Sequence, residues 1–336
     1  MPVVFIITGV VFAFLFGITV GSFLNVCIYR LPHDESLLHP PSHCPACNHR
    51  LGVLDLVPLL SYLALRGKCR YCGVRISPRY FVIEFLTGLL FVGGWWALAN
   101  RYGMLIYRPE IEALVGLWWV WASAMLVTFM IDLDTTYVIE PVTWVGMAAG
   151  LFYEVVQKWF DGVPIAASVF GHTIPWLPEA VPGMVLGFLV FVGMDGFGRL
   201  IFRKPGMGLG DAFIGAAIGA MLGPKLAAVS FGMAIILGAL VGMALIVLGA
   251  IRRAPAPGAE DAKAAKAPKK DPRASKSDGP LQEEPDEELP EGRYMPFGPF
   301  LTACAVAVAF APVWFDWAVN AGFTYWFFKN PLFGGQ

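Results

Sequence analysis

Charge is scarce in this chain. Asp, Glu, Lys and Arg make up 15% of its 336 residues, and hydrophobic residues make up 57%. Soluble domains carry about 25% charged and ~45–50% apolar residues. The length alone would allow two or three soluble domains, and the composition excludes them. Neither sign of charge is in excess, with 24 Lys and Arg against 25 Asp and Glu. That removes a nucleic-acid binder, which needs a basic surplus, and a disordered acidic chain. Repeats of solenoid type are missing, as is a glycine-rich nucleotide loop in a doubly wound unit. Cysteine is rare, with six residues in all. What remains is a set of long apolar runs joined by polar connections, the pattern of an all-α polytopic membrane protein.

A helix needs about 20 apolar residues to cross a bilayer. Eight segments are candidates: 3–27, 80–99, 111–131, 141–156, 180–201, 209–222, 226–251 and 296–317. The fourth and sixth are short and glycine-rich, as expected of tilted helices or helices buried among others. The first lacks a basic start and a small-residue cleavage site before Arg30, so it reads as a retained helix rather than a signal peptide. The expected division is a first transmembrane helix (1–27), a Cys-bearing polar region (28–79), a transmembrane core (80–251), a charged loop (252–295), and a last helix with its tail (296–336). Within the loop, 254–292 opens basic (Lys263, Lys266, Lys269, Lys270) and closes acidic (Glu283, Glu284, Asp286, Glu287, Glu288). It cannot bury enough apolar surface to order itself and reads as a flexible cytoplasmic loop.

The basic residues give an orientation. The first, fifth–sixth and seventh–eighth connections hold 19 of the 24, and the alternate side holds 5. The positive-inside rule puts the richer side in the cytoplasm and both termini outside. Alternation places the basic-free connection 132–140 inside as well.

Four cysteines form two C-x-x-C pairs, Cys44 with Cys47 and Cys69 with Cys72. Two such knuckles can close a tetrahedral four-thiolate shell, the structural zinc form. Arg50, Lys68, Arg70 and Arg75 favour thiolates. Disulfides or a redox pair are the other readings, and a reducing cytoplasm argues against stable disulfides. His43 and His49 are substitute ligands in principle, but four thiolates already fill the shell. Cys27 and Cys304 read as small core residues. A polar segment of this size builds little core alone, and a structural metal is a common remedy.

Acids in or beside spans are functional candidates. The third span ends in Ile131, Asp132, Leu133 and Asp134. The sixth opens in the string GMGLGD, which ends at Asp211. The charge argument puts both ends on the cytoplasmic side at one membrane depth. Two carboxylates that approach closely share a proton. One then deprotonates a water while the other protonates or polarises a scissile carbonyl, which is aspartic-protease chemistry. The glycines before Asp211 allow close backbone approach. Asp134 is two residues from Asp132 and points nearly the opposite way on a helix, so only one of them should face Asp211. Glu84 and Asp195 read as packing or polar-network residues, and Asp161 and Asp316 lie on the outer side.

These residues resemble the bacterial prepilin peptidases, GxGD-type membrane aspartic proteases. The likeness covers nearly the whole chain outside the insert. It includes the string GSFLNVCIYRLP over 21–32 and the Cys tetrad. Between and after the Cys pairs it includes Asp55, Pro58, Ser61, Tyr62, Arg66, Gly67 and Lys68, then Ser77, Arg79, Tyr80 and Glu84. It ends with the GxGD string before and at Asp211 and the string PFGPF over 296–300. The resemblance implies an endopeptidase that removes the basic leader of type IV prepilins or type II secretion pseudopilins after a Gly, at the cytoplasmic face of the inner membrane. It implies Asp132 and Asp211 as catalytic residues, with Asp134 a frequent second acid. Cys44, Cys47, Cys69 and Cys72 are implied as zinc ligands. It also implies N-methylation of the new N-terminus with S-adenosylmethionine, no nucleic-acid partner, and contact with the bilayer and the pilus or secretion machinery. The chain departs from the pattern at Ile139 and Glu140, where Pro and Asp or Asn are usual, and at Phe213, where Lys is usual. Two other classes fit the spans alone: an ion or solute transporter, against which the clustering of acids at one face argues, and a catalytically silent assembly scaffold.

Overall fold

The computed structural model describes residues 3–169, 172–202, 208–252 and 297–317. The insert 254–292 and the motif residues Gly206 and Met207 lie outside them. The described residues form eight α-helices: α1 (Val3–Arg30), α2 (Leu60–Ala64), α3 (Pro78–Tyr102), α4 (Pro109–Thr135), α5 (Glu140–Asp161), α6 (Ala180–Phe202), α7 (Leu209–Arg252) and α8 (Gly298–Trp317). One antiparallel hairpin, β1 (Ala166–Val169) with β2 (His172–Pro175), joins α5 to α6, with Ala166 opposite Pro175.

The helix ends follow local chemistry. The Ser77 hydroxyl caps α3 by accepting the Arg79 N–H, and Pro78 occupies the first helical position. Pro109 opens α4, and Glu110 and Glu112 in its first turn complement the helix dipole. Thr136 ends α4 in the left-handed region, its N–H donating to the Asp132 carbonyl at 2.9 Å. Gly162 ends α5 the same way at φ 66°.

Every apolar segment expected from the sequence is helical. Among the described residues, five helices are long and apolar enough to cross a membrane: Val3–His33, Pro78–Tyr107, Pro109–Thr135, Ala180–Leu200 and Leu209–Ala244. The protein is therefore a multi-pass membrane protein. The expected count of eight differs from this for three reasons. Helix α5 carries Glu140, Glu154, Lys158 and Asp161, which dilute its hydropathy. In α8 the described side chains end at Phe310, so only Gly298–Phe310 of its 20 residues enters the count. Helix α7 joins two expected segments in 44 residues, ~66 Å if straight, about twice the hydrocarbon thickness. It is not straight. Gly223 interrupts it at φ 67° and ψ 174°, and Pro224 starts the second limb.

Two compact units are present: Met1–Ile235 with Pro296–Gln336, and Ile236–Met295. The larger contains all the groups discussed below. Its main core joins Trp121 and Met125 of α4, Phe191 of α6, Ile214 and Ile218 of α7, and Leu301 of α8. Trp121 Nε1 donates to the Ala217 carbonyl at 3.1 Å, which satisfies a buried indole. Helices α6 and α7 meet backbone to backbone, because a Cβ at Gly183 or Gly187 would run into Gly219 or Gly215. Small residues four apart permit this approach where lipid gives little hydrophobic drive. A further cluster joins Leu24, Cys27 and Ile28 of α1 with Ile83 of α3 and Leu126, Val127 and Ile131 of α4. It fixes the end of α4 that carries the acids.

Candidate active site

Asp132 lies in the last turn of α4 and is 4% exposed. Its neighbour Asp134 takes another direction and accepts a charged hydrogen bond from Arg79. Arg79 also donates to the Met130 carbonyl at 3.5 Å. Asp134 is thus a surface partner for the start of α3, and of the two acids Asp132 is the one turned into the protein.

Asp211 is the third residue of α7 and partly buried. Its N–H donates to the Gly208 carbonyl at 3.2 Å, closing the first turn. Gly210 explains why this helix start sits so close to α4. A Cβ there would lie 2.6 Å from the Cβ of Val138, in the link between α4 and α5. No side chain fits in that contact. Ile214, one turn further along α7, and the Asp132 carboxyl lie against the same residue, Gly298.

A third element completes the site. Gly298, the first residue of α8, presses on the Asp132 carboxyl. A Cβ at Gly298 would collide with Asp132 Oδ2, lie 3.0 Å from its Cγ, and lie 3.2 Å from Ile214 Cδ1. Oδ2 is buried and meets no hydrogen-bond partner of good geometry among the described residues, although the Gly298 backbone bears on the same carboxyl. Buried acceptors are nearly always satisfied, and the exceptions concentrate where a group reacts. In the sequence Gly298 stands inside the PFGPF string with nothing beside it that announces a role. The available signal was a glycine between Phe297 and Pro299 at a helix start.

The departures from the family pattern have packing roles. Phe213 meets Phe188 edge-on at 5.6 Å, between α7 and α6. Ile139 packs on the α1–α3–α4 cluster. Pro141 takes the early-helix position of α5, and the Glu140 carbonyl accepts the Thr143 hydroxyl at 2.7 Å. Of the other acids, Asp195 pairs with Arg199 at 2.7 Å and Asp161 with Arg101 at 2.8 Å. Glu84 accepts the Leu59 N–H at 2.8 Å.

The cysteine region is built from two matching knuckles. Backbone bridges join His43 to Arg50 and Lys68 to Arg75. In the first, Cys44 N–H donates to the His49 carbonyl at 3.0 Å and Asn48 N–H to the Cys44 carbonyl at 2.8 Å. In the second, Cys69 N–H donates to Val74 at 2.8 Å and Gly73 N–H to Cys69 at 2.9 Å. Asn48 and Gly73 take positive φ at equivalent places. All four thiols are free. Their sulfurs lie within 4.8 Å of one another, and Cys44 and Cys72 are 3.9 Å apart. A tetrahedral zinc with bonds of about 2.3 Å needs sulfurs ~3.8 Å apart. The donor set and spacing fit a metal ion. The histidines are engaged elsewhere: His43 Nδ1 meets the Pro41 carbonyl at 3.2 Å, and the His49 ring lies 3.7 Å from Tyr71.

Asp55 locks the second knuckle to the linker, accepting Arg70 Nε at 2.7 Å, Tyr71 O–H at 2.9 Å and Gly52 N–H at 3.1 Å. Burial pushes its carboxyl up, but these donors outweigh that and hold it below the usual carboxylate value. The Asp55 charge in turn pushes the Tyr71 hydroxyl up.

The profile of the Bacterial Peptidase A24 N-terminal domain matches residues 15–98, and that of the Type IV leader peptidase family matches residues 119–243. A prepilin leader peptidase/N-methyltransferase of Myxococcus xanthus is 33% identical over 330 residues, covering 90% of either chain. One from Aeromonas hydrophila is 34% identical over 259 residues, 70% of this chain and 80% of its own. A type 4 prepilin-like proteins leader peptide-processing enzyme of Escherichia coli is 32% identical over 230 residues, 62% of this chain and 75% of its own. No solved structure matches the chain. Two family profiles that together span the first seven helices, and a relative aligned along nearly its whole length, establish that the chain belongs to the type IV leader peptidase family.

Proposed function

We propose that this protein is an aspartic endopeptidase of the inner membrane. It removes the basic leader of type IV prepilins or type II secretion pseudopilins after a Gly, and then N-methylates the new N-terminal residue. The observation that carries the reading is the buried Asp132 carboxyl, held with Gly298 against Ile214 of the helix that bears Asp211. The names of the relatives support the substrate class.

The chemistry needs one proton shared by Asp132 and Asp211. The ionised carboxylate takes a proton from water, and the resulting hydroxide attacks the carbonyl carbon of the Gly before the cut. The protonated carboxyl hydrogen-bonds the carbonyl oxygen as charge develops on it. The tetrahedral intermediate collapses, the C–N bond breaks, and the departing nitrogen takes up a proton from the dyad. The products are a leader carboxylate and a free amine. A prepilin keeps its basic leader in the cytoplasm and its hydrophobic helix in the bilayer, so the scissile bond lies at the inner interface. The positive-inside reading puts Asp132 and Asp211 at that interface.

Cys44, Cys47, Cys69 and Cys72 would hold a zinc ion that staples the polar segment. Four thiolates close the shell, so the ion has a structural role and leaves no site for a reacting water. S-adenosylmethionine would supply an electrophilic methyl group to the new amine. The described residues contain only a two-stranded sheet and offer no doubly wound seat for that donor.

Mass spectrometry of a candidate pilin's N-terminus, with and without the protein, tests the reading. Leader loss with addition of one methyl group is expected. An uncut pilin beside well-inserted protein would contradict it.

A further inference from the structure

We propose that the segment Val53–Ala64 is an interfacial membrane anchor, and that the groove beside it holds the phosphate of an anionic phospholipid. The segment exposes Val53, Leu54, Leu60 and Leu63, at 85%, 72%, 65% and 59%. Single exposed apolar residues are ordinary, but a cluster of them marks an interaction site, and the fold places a partner beside this one. Glu84 Oε2, inside α3, accepts the Leu59 N–H at 2.8 Å. Glu84 is six residues past Pro78, ~9 Å along the helix axis. It also lies against Gly21 of α1, where a Cβ would be 2.8 Å from the Glu84 Cα. Gly21 is nine residues before Arg30, ~13 Å along α1.

Leu59 therefore sits beside the spans at the depth of their own side chains, not beyond their ends. Backbone at that depth needs its N–H groups partnered. Leu59 meets that need through Glu84 while in the left-handed region, at φ 59°. The Tyr62 ring continues the contact, 5.5 Å from that of Phe81 on α3. The exposed leucines of α2 thus prolong the lipid-facing surface of two spanning helices.

The groove has the complementary chemistry. A cavity of about 560 Å³ is lined by Tyr62, Arg66, Lys68, Arg75, Ile76 and Ser77, among others. Three cations line it, and among the described residues no acid does. A basic prepilin leader is repelled there, and an anion is attracted. Because the apolar face adjoins the cations, the anion is a lipid headgroup whose chains run beside Leu60 and Leu63.

The test uses the full chain in vesicles of phosphatidylcholine and phosphatidylglycerol. Benzoylphenylalanine is placed at Leu60 or Leu63, irradiated, and the intact mass measured. Phospholipid adducts at both positions are expected. Absence of lipid adducts, or crosslinks to a second protein chain in their place, would overturn the anchor. In a second arm, co-purified phosphatidylglycerol is measured in Lys68→Gln and in the triple change R66Q/K68Q/R75Q. The triple variant should retain at least about fivefold less of it, with phosphatidylcholine unchanged, and inorganic phosphate should not displace it from the native protein. Equal retention in both variants, or displacement by phosphate, would overturn the lipid site.

Discussion

Asp132 and Asp134 stand two residues apart on one helix and serve different ends. Helical geometry turns them nearly opposite. Asp132 is buried against Gly298 and Ile214, and Asp134 pairs with Arg79 at the start of α3. That only one of them could face Asp211 was legible from spacing alone. The role of Gly298 was not, because its contact with Asp132 joins distant parts of the chain and leaves no local periodicity. The size of the gap yields a prediction. Gly298→Ala introduces a methyl group where Asp132 Oδ2 now lies, so the carboxyl must move. A displacement near 1 Å costs about 100-fold in a reaction that depends on positioning. Leader cleavage by Gly298→Ala should fall ~10–100-fold in kcat while the protein remains folded and inserted. An unchanged kcat would show that the contact relaxes freely.

At the scale of elements, the site depends on how closely helices approach. Gly187 of α6 meets Gly215 of α7, and Gly210 meets Val138. These contacts set α7 against its neighbours so that Asp211 arrives beside α4. Gly187→Leu should force α6 and α7 apart, destabilise the bundle by ~1–3 kcal/mol, and lower both thermal stability in detergent and cleavage rate. A variant with native melting behaviour would contradict that packing. The sequence displayed the glycines but not their pairing, since a small-residue spacing names no partner. It displayed both limbs of α7 as separate segments, because Gly223 and Pro224 punctuate the chain visibly. The hairpin between α5 and α6 was missed: four-residue strands carry too little alternation to register.

Each C-x-x-C pair likewise announced a knuckle in the sequence. What it did not announce was the Asp55 clamp on Arg70 and Tyr71, which depends on the linker folding back. Cys44→Ser removes one ligand and should abolish stoichiometric zinc, loosening the region that ends in Arg79. Elemental analysis of the purified variant checks this, and full zinc retention would contradict a four-thiolate site.

For the whole molecule, scarcity of charge made each charge informative. The split of 19 basic residues to 5 gives the proposed orientation, and family membership agrees with a multi-pass enzyme. The architecture was legible because hydropathy and helix punctuation are local properties. The meeting of α4, α7 and α8 around one carboxyl was not, because tertiary contact decides it. The central claim is that Asp132 and Asp211 jointly cut the leader. It is tested most directly by mass spectrometry of a prepilin N-terminus after incubation with wild-type, Asp132→Asn, Asp211→Asn and Asp134→Asn proteins in vesicles. An intact leader is expected with the first two variants, a loss of at least ~1,000-fold, as when a catalytic group is removed. Cleavage within about fivefold of wild type is expected for Asp134→Asn, the worth of an exposed ion pair. Cleavage at the wild-type rate by either Asp132→Asn or Asp211→Asn would contradict the central claim.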